Sequence, residues 1–296
     1  MFNSSFNKVP WQRFMEFISP NADRFEMLKE LLEEMALGYK VLEIAGNRHF
    51  VVAPPLPEEK YLRRRPTILV AHYDRAEGSP GANDNSVGVF LFLETAAKLA
   101  ASGENSWIII FTDKEELKPG ESLQSQGSYT LAEGLKTLRM EKCRIFCFDT
   151  CGIGDTLVVS TTLEFLLKKD GGADKLRESA MEHRKLALDT ARNLGMIKVL
   201  LAPAPFSDDA GFFRAGLAAQ TITMLPSEEC TQLVSELRKD QNFADILINA
   251  EIQQNKRKKF IPETWRNLNT PRDSHLRLTP RHFRTVTRFA EALCKG

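Results

Sequence analysis

Residues 67–71 read TILVA and residues 107–111 read WIIIF, and these two short apolar runs decide the fold. Both have the length and composition of strands that are buried on both faces of a sheet. Between them, residues 87–101 carry apolar residues at helical spacing, and this pattern stops near Gly103. Strands that alternate with helices imply a largely parallel sheet with helices on both faces.

The same alternation extends along the chain in both directions. Further strands are predicted at residues 39–44, 49–53, 144–148, 157–159, 196–201 and 218–224, of which the first two form a hairpin. Further helices are predicted at residues 129–138, 175–194, 209–215, 228–239 and 280–294. The polar residues 241–265 are interpreted as an excursion from the domain. We therefore predict one α/β domain over residues 1–296, with three α/β/α layers around a central mixed, mainly parallel sheet.

The composition argues against several kinds of partner. Forty basic and thirty-nine acidic side chains leave a formal net charge of +1, which gives no reason to expect a nucleic acid or an anionic membrane. The one basic cluster, KRKK at residues 256–259, is expected to be a solvated loop. No export-signal pattern is visible, and no apolar run approaches the roughly eighteen residues of a membrane span. A cytoplasmic protein is therefore expected.

The cysteines do not predict disulfides or a soft-metal site. The chain has five of them, an odd number that argues against a disulfide framework. Cys143, Cys147 and Cys151 are evenly spaced, but they lack the C-x-x-C spacing of a zinc knuckle. We interpret these three as small buried hydrophobic residues.

Polar side chains that can bind metals follow the predicted strands at the point where each strand ends. His72-Tyr73-Asp74 comes directly after residues 67–71. A lone histidine there is more often structural, but Asp74 can accept a hydrogen bond from its ring, as carboxylates that orient metal ligands do. Glu115 and Glu116 follow the next strand, and Asp149 ends a third. Ligands of open α/β sheets bind at this edge, the carboxyl ends of the strands.

The loop at residues 81–86, GANDNS, adds a further carboxylate, Asp84. Asparagine, aspartate and serine are typical of turns and helix N-caps, and Ser86 is expected to cap the following helix. Capping needs one such residue, whereas this loop supplies four in a row, so Asp84 is a candidate to bridge two cations.

Four carboxylates and one histidine at one sheet edge would repel or be costly to bury without a cation. Oxygen and imidazole ligands together suit zinc, with manganese or cobalt as alternatives.

The ordered motifs resemble a known family. The series H-Y-D, G-A-N-D-N-S-x-G, D-x-E-E, a strand-ending aspartate and S-D-D-A-G-F-F is similar to that of the co-catalytic zinc aminopeptidases. This metallopeptidase family includes bacterial leucyl aminopeptidases and, more distantly, glutaminyl cyclase. The resemblance runs from about Thr67 to the C-terminus and rests on the order of the motifs, since no single motif would suffice. It implies a zinc-exopeptidase-like fold and hydrolysis of N-terminal peptide bonds of a peptide or aminoacyl substrate.

The resemblance also implies metal ligands. His72 and Asp149 would bind the first zinc ion, Asp84 would bridge both ions, and Glu116 would bind the second. The peptide bond between Asp84 and Asn85 would be cis.

The resemblance implies further roles in catalysis and substrate binding. Glu115 would be the general base that acts on a metal-activated water, and Asp74 would orient His72. Ser207 and Asp208 would lie near the substrate pocket.

The chain departs from the family pattern at two positions. Asp209 stands where a histidine usually follows Ser-Asp. Asn269 stands where the relatives have the last histidine ligand of the second zinc, in His-Thr-x-x-Asp. An amide oxygen is a poor zinc ligand, although harder cations tolerate it. His275 could replace it only if the loop were rearranged. We therefore expect one or two zinc ions, with a second site that is weakened or holds another divalent metal.

Two alternatives to an aminopeptidase stay open. Asn269 supports a catalytically impaired pseudo-peptidase that serves as a binding domain. A single-zinc, glutaminyl-cyclase-like enzyme is the other, but such relatives keep the terminal histidine that this chain lacks.

Overall fold

The computed structural model describes residues 6, 8–55, 65–170, 174–240, 242–248 and 258–295. Two members of the basic cluster, Lys256 and Arg257, lie outside these ranges.

An eight-stranded mixed sheet forms the centre of the fold. Its strands are β1 (Tyr39–Ile44), β2 (Asn47–Val52), β3 (Thr67–His72), β4 (Trp107–Thr112), β5 (Arg144–Phe148), β6 (Thr156–Ser160), β7 (Val199–Ala202) and β8 (Gln220–Leu225). Their order across the sheet is β1-β2-β4-β3-β5-β8-β6-β7. The pairs β3–β4, β3–β5, β5–β8 and β6–β7 are parallel, whereas β1–β2, β2–β4 and β6–β8 are antiparallel. The predicted α/β class with a mixed, mainly parallel sheet is confirmed.

Helices cover both faces of this sheet. They are α1 (Trp11–Phe17), α2 (Arg24–Glu34), α3 (Val87–Ser102), α4 (Gly127–Thr137), α5 (Thr162–Asp170), α6 (Asp174–Asn193), α7 (Asp208–Arg214), α8 (Ser227–Lys239), α9 (Phe243–Ile248), α10 (Glu263–Arg266) and α11 (Phe283–Leu293). Helices α1, α2, α5, α9 and α10 were not predicted. Helix α2 carries a recognisable start signal, because the Asp23 side chain accepts a hydrogen bond from the Glu26 N–H.

Alternate residues of the buried strands pack into different cores. Leu69 and Ala71 of β3 belong to the large core that includes α3 and α11. Ile68 and Val70, which point to the opposite face, pack with α4 and α7. All six residues of β3 are buried, as the uninterrupted apolar run predicts for a strand with helices on both faces.

The cysteine interpretation is confirmed. All five cysteines are buried free thiols. None of the helices in the described ranges is both long enough and apolar enough to cross a membrane.

Candidate metal centre and active site

His72 is the last residue of β3 and is fully buried at the carboxyl edge of the sheet. Its Nε2 atom lies 3.0 Å from Asp84 Oδ1 and 3.7 Å from Asp149 Oδ1, and its Nδ1 atom lies 3.3 Å from Asp74 Oδ1. Burial lowers the pKa of His72, but the three surrounding carboxylates outweigh it and hold the pKa well above 6.5. Because β3, β4 and β5 are parallel, their carboxyl ends meet here, and this topology brings the predicted residues together.

The ligand atoms of His72, Asp84 and Asp149 fit a metal ion. One ligand atom from each residue lies within 4.8 Å of the others. Asp149 Oδ1 and Glu116 Oε1 are buried and have no hydrogen-bond partner among the residues that the structure describes. Buried polar atoms without partners are rare and costly, and bound divalent cations would satisfy both. The donor set of one imidazole and several carboxylates suits zinc.

The Asp84 loop is held by its own polar side chains and by the carboxylate of Asp273. Asn83 Oδ1 accepts a hydrogen bond from the Gly152 N–H at 2.7 Å, and Asn85 Nδ2 donates one to the Phe148 carbonyl oxygen at 2.7 Å. The Asp273 carboxylate accepts hydrogen bonds from the Asn83 and Asp84 N–H groups at 2.9 and 3.0 Å. The Asp84–Asn85 peptide bond is cis, as the resemblance implied.

The predicted capping role of Ser86 is wrong. Its side chain makes no capping hydrogen bond to α3. The hydroxyl instead donates to the Gly81 carbonyl oxygen and accepts a hydrogen bond from Arg24, so it stabilises the loop before the helix.

The two glutamates after β4 are fixed by a neighbouring carboxylate. Asp74 accepts hydrogen bonds from the N–H groups of Glu115 at 3.2 Å and Glu116 at 3.0 Å. Gln126 Nε2 donates to Glu115 Oε1 at 3.1 Å. Burial raises the pKa of Glu115 well above 4.5; His72 lowers it, whereas Glu116 raises it further. Raised carboxylate pKa values of this kind are typical of general bases in active sites.

Ser207 and Asp208 lie at the start of α7 and are both buried. Asp208 Oδ2 accepts a hydrogen bond from the Thr112 hydroxyl at 2.6 Å, and burial raises the pKa of Asp208 to about 6. Asp209 accepts a hydrogen bond from the Ser207 N–H at 2.9 Å, and burial raises its pKa to about 7. Neither Ser207 nor Asp208 lines the cavity described next, so their role in substrate binding stays a prediction.

A cavity of about 290 Å³ opens beside the metal-ligand cluster. One side is acidic and is formed by Asp84, Glu115, Glu116 and Asp149. The apolar part of the wall is formed by Leu117, Leu123, Ala204, Pro205, Phe206, Ala210, Leu247, Ile248, Trp265 and Leu268. Asn269 also lines the cavity, with a positive φ of 58° that asparagine tolerates, whereas His275 does not line it. Of the two residues considered for the second metal, Asn269 is the one that shares the cavity with Asp84 and Glu116.

A sequence model of one peptidase family, Peptidase family M28, matches residues 52–289, which is most of the chain. The chain belongs to peptidase family M28. No curated protein sequence matches this M28 chain significantly.

Solved structures share the fold of this M28 chain at low sequence identity. The LapA aminopeptidase of Legionella pneumophila has a TM-score of 0.62 and 17% identity over 96% of this chain and 69% of its own. A glutaminyl cyclase from Porphyromonas gingivalis has a TM-score of 0.62 and 15% identity over 96% of this chain and 94% of its own. A zinc aminopeptidase from Bacillus subtilis has a TM-score of 0.53 and 18% identity over 83% of this chain. This chain spans about half the length of the Bacillus enzyme, 49% of which is covered.

Two parts of the M28 site were missed by sequence reasoning. The apolar wall from Leu247, Ile248 and Trp265 falls within residues 241–265, which were interpreted as an excursion. The apolar residues of α9 are the signal that could have found it, because five of the six residues of FADILI are apolar, and such a short apolar run is typical of a segment that packs on a core. Gln126 was also missed, since nothing in its neighbourhood predicts a contact with Glu115.

Proposed function

We propose that this M28 chain is a metal-dependent aminopeptidase. Membership of the family supports a metal-dependent peptidase, and the specificity for N-terminal peptide bonds is our proposal. The observation that carries it is the convergence of His72, Asp84 and Asp149, whose ligand atoms lie within 4.8 Å of one another. Two of these ligands, Asp84 and Asp149, line the same cavity as Glu115.

Two metal positions of unequal strength follow from the residues present. His72, Asp84 and Asp149 would hold the first ion. Asp84, Glu116 and the amide oxygen of Asn269 would hold the second more weakly. A metal ion bound at this centre would act as a Lewis acid that acidifies a water molecule and polarises the scissile carbonyl.

Glu115 is the general base of the proposed reaction. Its carboxylate accepts a proton from the attacking water and donates it to the nitrogen of the leaving amine. Gln126 orients this carboxylate through the 3.1 Å hydrogen bond, and the Asp74 carboxylate fixes the backbone on which it sits.

The cavity suits the N-terminus of a peptide. Its carboxylates favour the positively charged α-amino group, and its apolar wall accommodates an uncharged side chain. Ser207 and Asp208 are kept as candidate substrate-binding residues. No nucleic acid or membrane partner is needed for this reaction.

The experiment compares three substrates after the protein has been stripped and reloaded with zinc. An aminoacyl anilide should be hydrolysed, and the same anilide with an acetylated α-amine should not. A peptide with N-terminal glutamine should lose that residue and not cyclise. Cyclisation would favour the cyclase alternative. Binding of one metal ion with no turnover on any substrate would favour the pseudo-peptidase. That alternative is supported by Asn269, which stands where the family pattern has a histidine ligand.

A further inference from the structure

Arg24 is a buried cation that comes from α2, near the start of the chain. It lies against the loop that carries Asp84, residues 73–86, which we call the metal-binding loop. Its side chain is only 6% exposed. Its Nη1 atom donates hydrogen bonds to the carbonyl oxygens of Tyr73 at 3.1 Å and Asp74 at 3.0 Å. Its Nη2 atom donates to the carbonyl oxygens of Pro80 at 2.8 Å and Gly81 at 3.4 Å and to Ser86 Oγ at 2.8 Å. One guanidinium thus contacts both ends of the loop between His72 and Ser86.

Arg75 makes the reciprocal connection. Its Nη1 atom donates to the Ile18 carbonyl oxygen at 3.1 Å, and its Nη2 atom donates to those of Ser19 at 2.9 Å and Pro20 at 2.7 Å. The N-terminal segment, residues 8–34, and the metal-binding loop, residues 73–86, therefore each bind backbone carbonyls of the other through one arginine.

The two arginines and the loop are in close contact at Gly81. This glycine has a φ of +59°, and a Cβ atom there would lie 2.8 Å from the Asp84 carbonyl oxygen. The same Cβ would lie 2.9 Å from Arg75 Cβ and 3.0 Å from Arg24 Nη2. The loop conformation that presents Asp84 is thus built directly on both arginine side chains.

Burying a guanidinium is costly, and the carboxylates near it offset part of this cost. Burial lowers the pKa of Arg24 to about 9, and Arg75 lowers it too, whereas Asp74, Asp273 and Asp84 raise it. The Arg24 hydrogen bonds go to backbone carbonyls and one hydroxyl, so they fix the path of the loop. Guanidinium is the side chain suited to this task, because its five N–H groups lie in one rigid plane.

We propose that Arg24 and Arg75 form a reciprocal clamp through which the N-terminal segment positions the metal-binding loop. Arg24 contacts both ends of the loop. At one end is Asp74, whose carboxylate is the partner of His72, and at the other is Ser86, which lies two residues after Asp84. The family match begins at residue 52, so the N-terminal half of the clamp lies outside it. The proposal rests on the first metal site of the proposed function. Arg24 is a positioning residue, and its loss should weaken metal binding and lower kcat more than it changes KM.

The test uses the full chain with Arg24→Gln, Arg24→Lys and Arg75→Gln. Arg13→Gln is the matched control, because Arg13 lies in the same segment and pairs only with the surface carboxylates of Glu16, Glu30 and Glu34 among the residues described. Three readouts are measured: zinc affinity by chelator competition, the visible absorption spectrum of the Co²⁺-substituted protein, and amide hydrogen exchange over residues 73–86 without metal.

Arg24→Gln should lower zinc affinity by roughly tenfold or more, alter the Co²⁺ spectrum and speed exchange over the loop. Arg24→Lys should resemble Arg24→Gln more than the wild type, because a lysine cannot reach all five acceptors. Arg75→Gln should show a smaller change in the same direction, and it carries the test if the Arg24 variants do not fold. Wild-type affinity, spectrum and loop exchange in folded Arg24 or Arg75 variants would overturn the clamp. If the wild type itself bound no metal, the proposed function would fail, and the exchange measurement would still decide whether the clamp holds the loop.

Discussion

The Asp74 carboxylate accepts a hydrogen bond from the Glu116 N–H at 3.0 Å, which joins the end of β3 to the loop that follows β4. The other oxygen of the same carboxylate lies 3.3 Å from His72 Nδ1 and accepts the Glu115 N–H at 3.2 Å. One side chain therefore sets the orientation of a proposed metal ligand and the position of the proposed base.

The first prediction concerns this double role of Asp74. Asp74→Ala should lower zinc affinity by roughly 10- to 100-fold, the range seen when a carboxylate partner of a ligating histidine is removed. Turnover should fall as well, because the backbone of Glu115 loses its anchor. Chelator competition and steady-state kinetics check both effects. The control is Asp189→Ala, a partly exposed position on α6 that pairs with Lys185 and Arg192. Unchanged zinc affinity in Asp74→Ala would contradict the orienting role.

The second prediction separates proton transfer from metal binding. Glu115→Gln should keep zinc binding nearly intact and reduce kcat by roughly 100-fold or more, the contribution expected of a general base. The control is Glu133→Gln, an exposed position on α4 whose partner is Lys136. Zinc content and kcat are measured on the same preparations. If Glu115→Gln hydrolyses substrate at the wild-type rate, the base lies elsewhere.

The third prediction concerns the second metal position. Asn269→His should tighten binding of a second zinc ion by roughly tenfold or more, because imidazole is a better zinc ligand than an amide oxygen. Histidine is among the residues that tolerate the positive φ of 58° found here. Asn269→Gly tolerates the same backbone, removes the amide oxygen and should weaken the second ion further. Calorimetric zinc titration of the three proteins gives the comparison, and equal second-site affinities would exclude Asn269 as a ligand.

The fourth prediction concerns stability and pH. The pKa of buried Asp209 is raised from 3.8 to about 7, so the folded state prefers the protonated form. The contribution of protonated Asp209 to the free energy of unfolding is therefore fully present below about pH 4. It is lost as the pH rises to about 7, and this loss lowers the free energy of unfolding by roughly 3 kcal/mol or more. Asp209→Asn keeps an oxygen that accepts the Ser207 N–H and removes this titration. Urea unfolding without metal should show the variant more stable than the wild type at pH 8, with a smaller difference at pH 5. A difference that does not grow with pH would contradict the assignment.

The strands and the candidate ligands could be predicted because their signals are local. The range of β5, Arg144–Phe148, was predicted to the residue, since a buried strand is an uninterrupted apolar run. The strand predicted at residues 196–201 was too long at its start. There the Met196 N–H donates to the Ala191 carbonyl oxygen, so this residue completes the preceding helix, and β7 begins only at Val199.

The parts that could not be predicted depend on contacts between distant segments. Nothing around Arg24 indicates that it binds a loop some fifty residues later, because its partners are backbone carbonyls that carry no sequence signal. Ser86 was predicted to be a helix cap because its position before α3 is typical of one. Its hydrogen-bond partners are Gly81 and Arg24, and no local sequence pattern indicates the contact with Arg24. The cavity wall formed by Leu247 and Trp265 likewise arises only when the C-terminal region packs against the sheet.

The most direct test of the central claim is a zinc titration of the metal-stripped protein, followed by hydrolysis of a leucyl anilide. We expect no turnover without metal and a rise in turnover with the first equivalent of zinc. His72→Ala should lose both the tight zinc ion and the activity. Turnover in the stripped wild-type protein, or tight zinc binding retained in His72→Ala, would contradict a metal centre built on His72, Asp84 and Asp149.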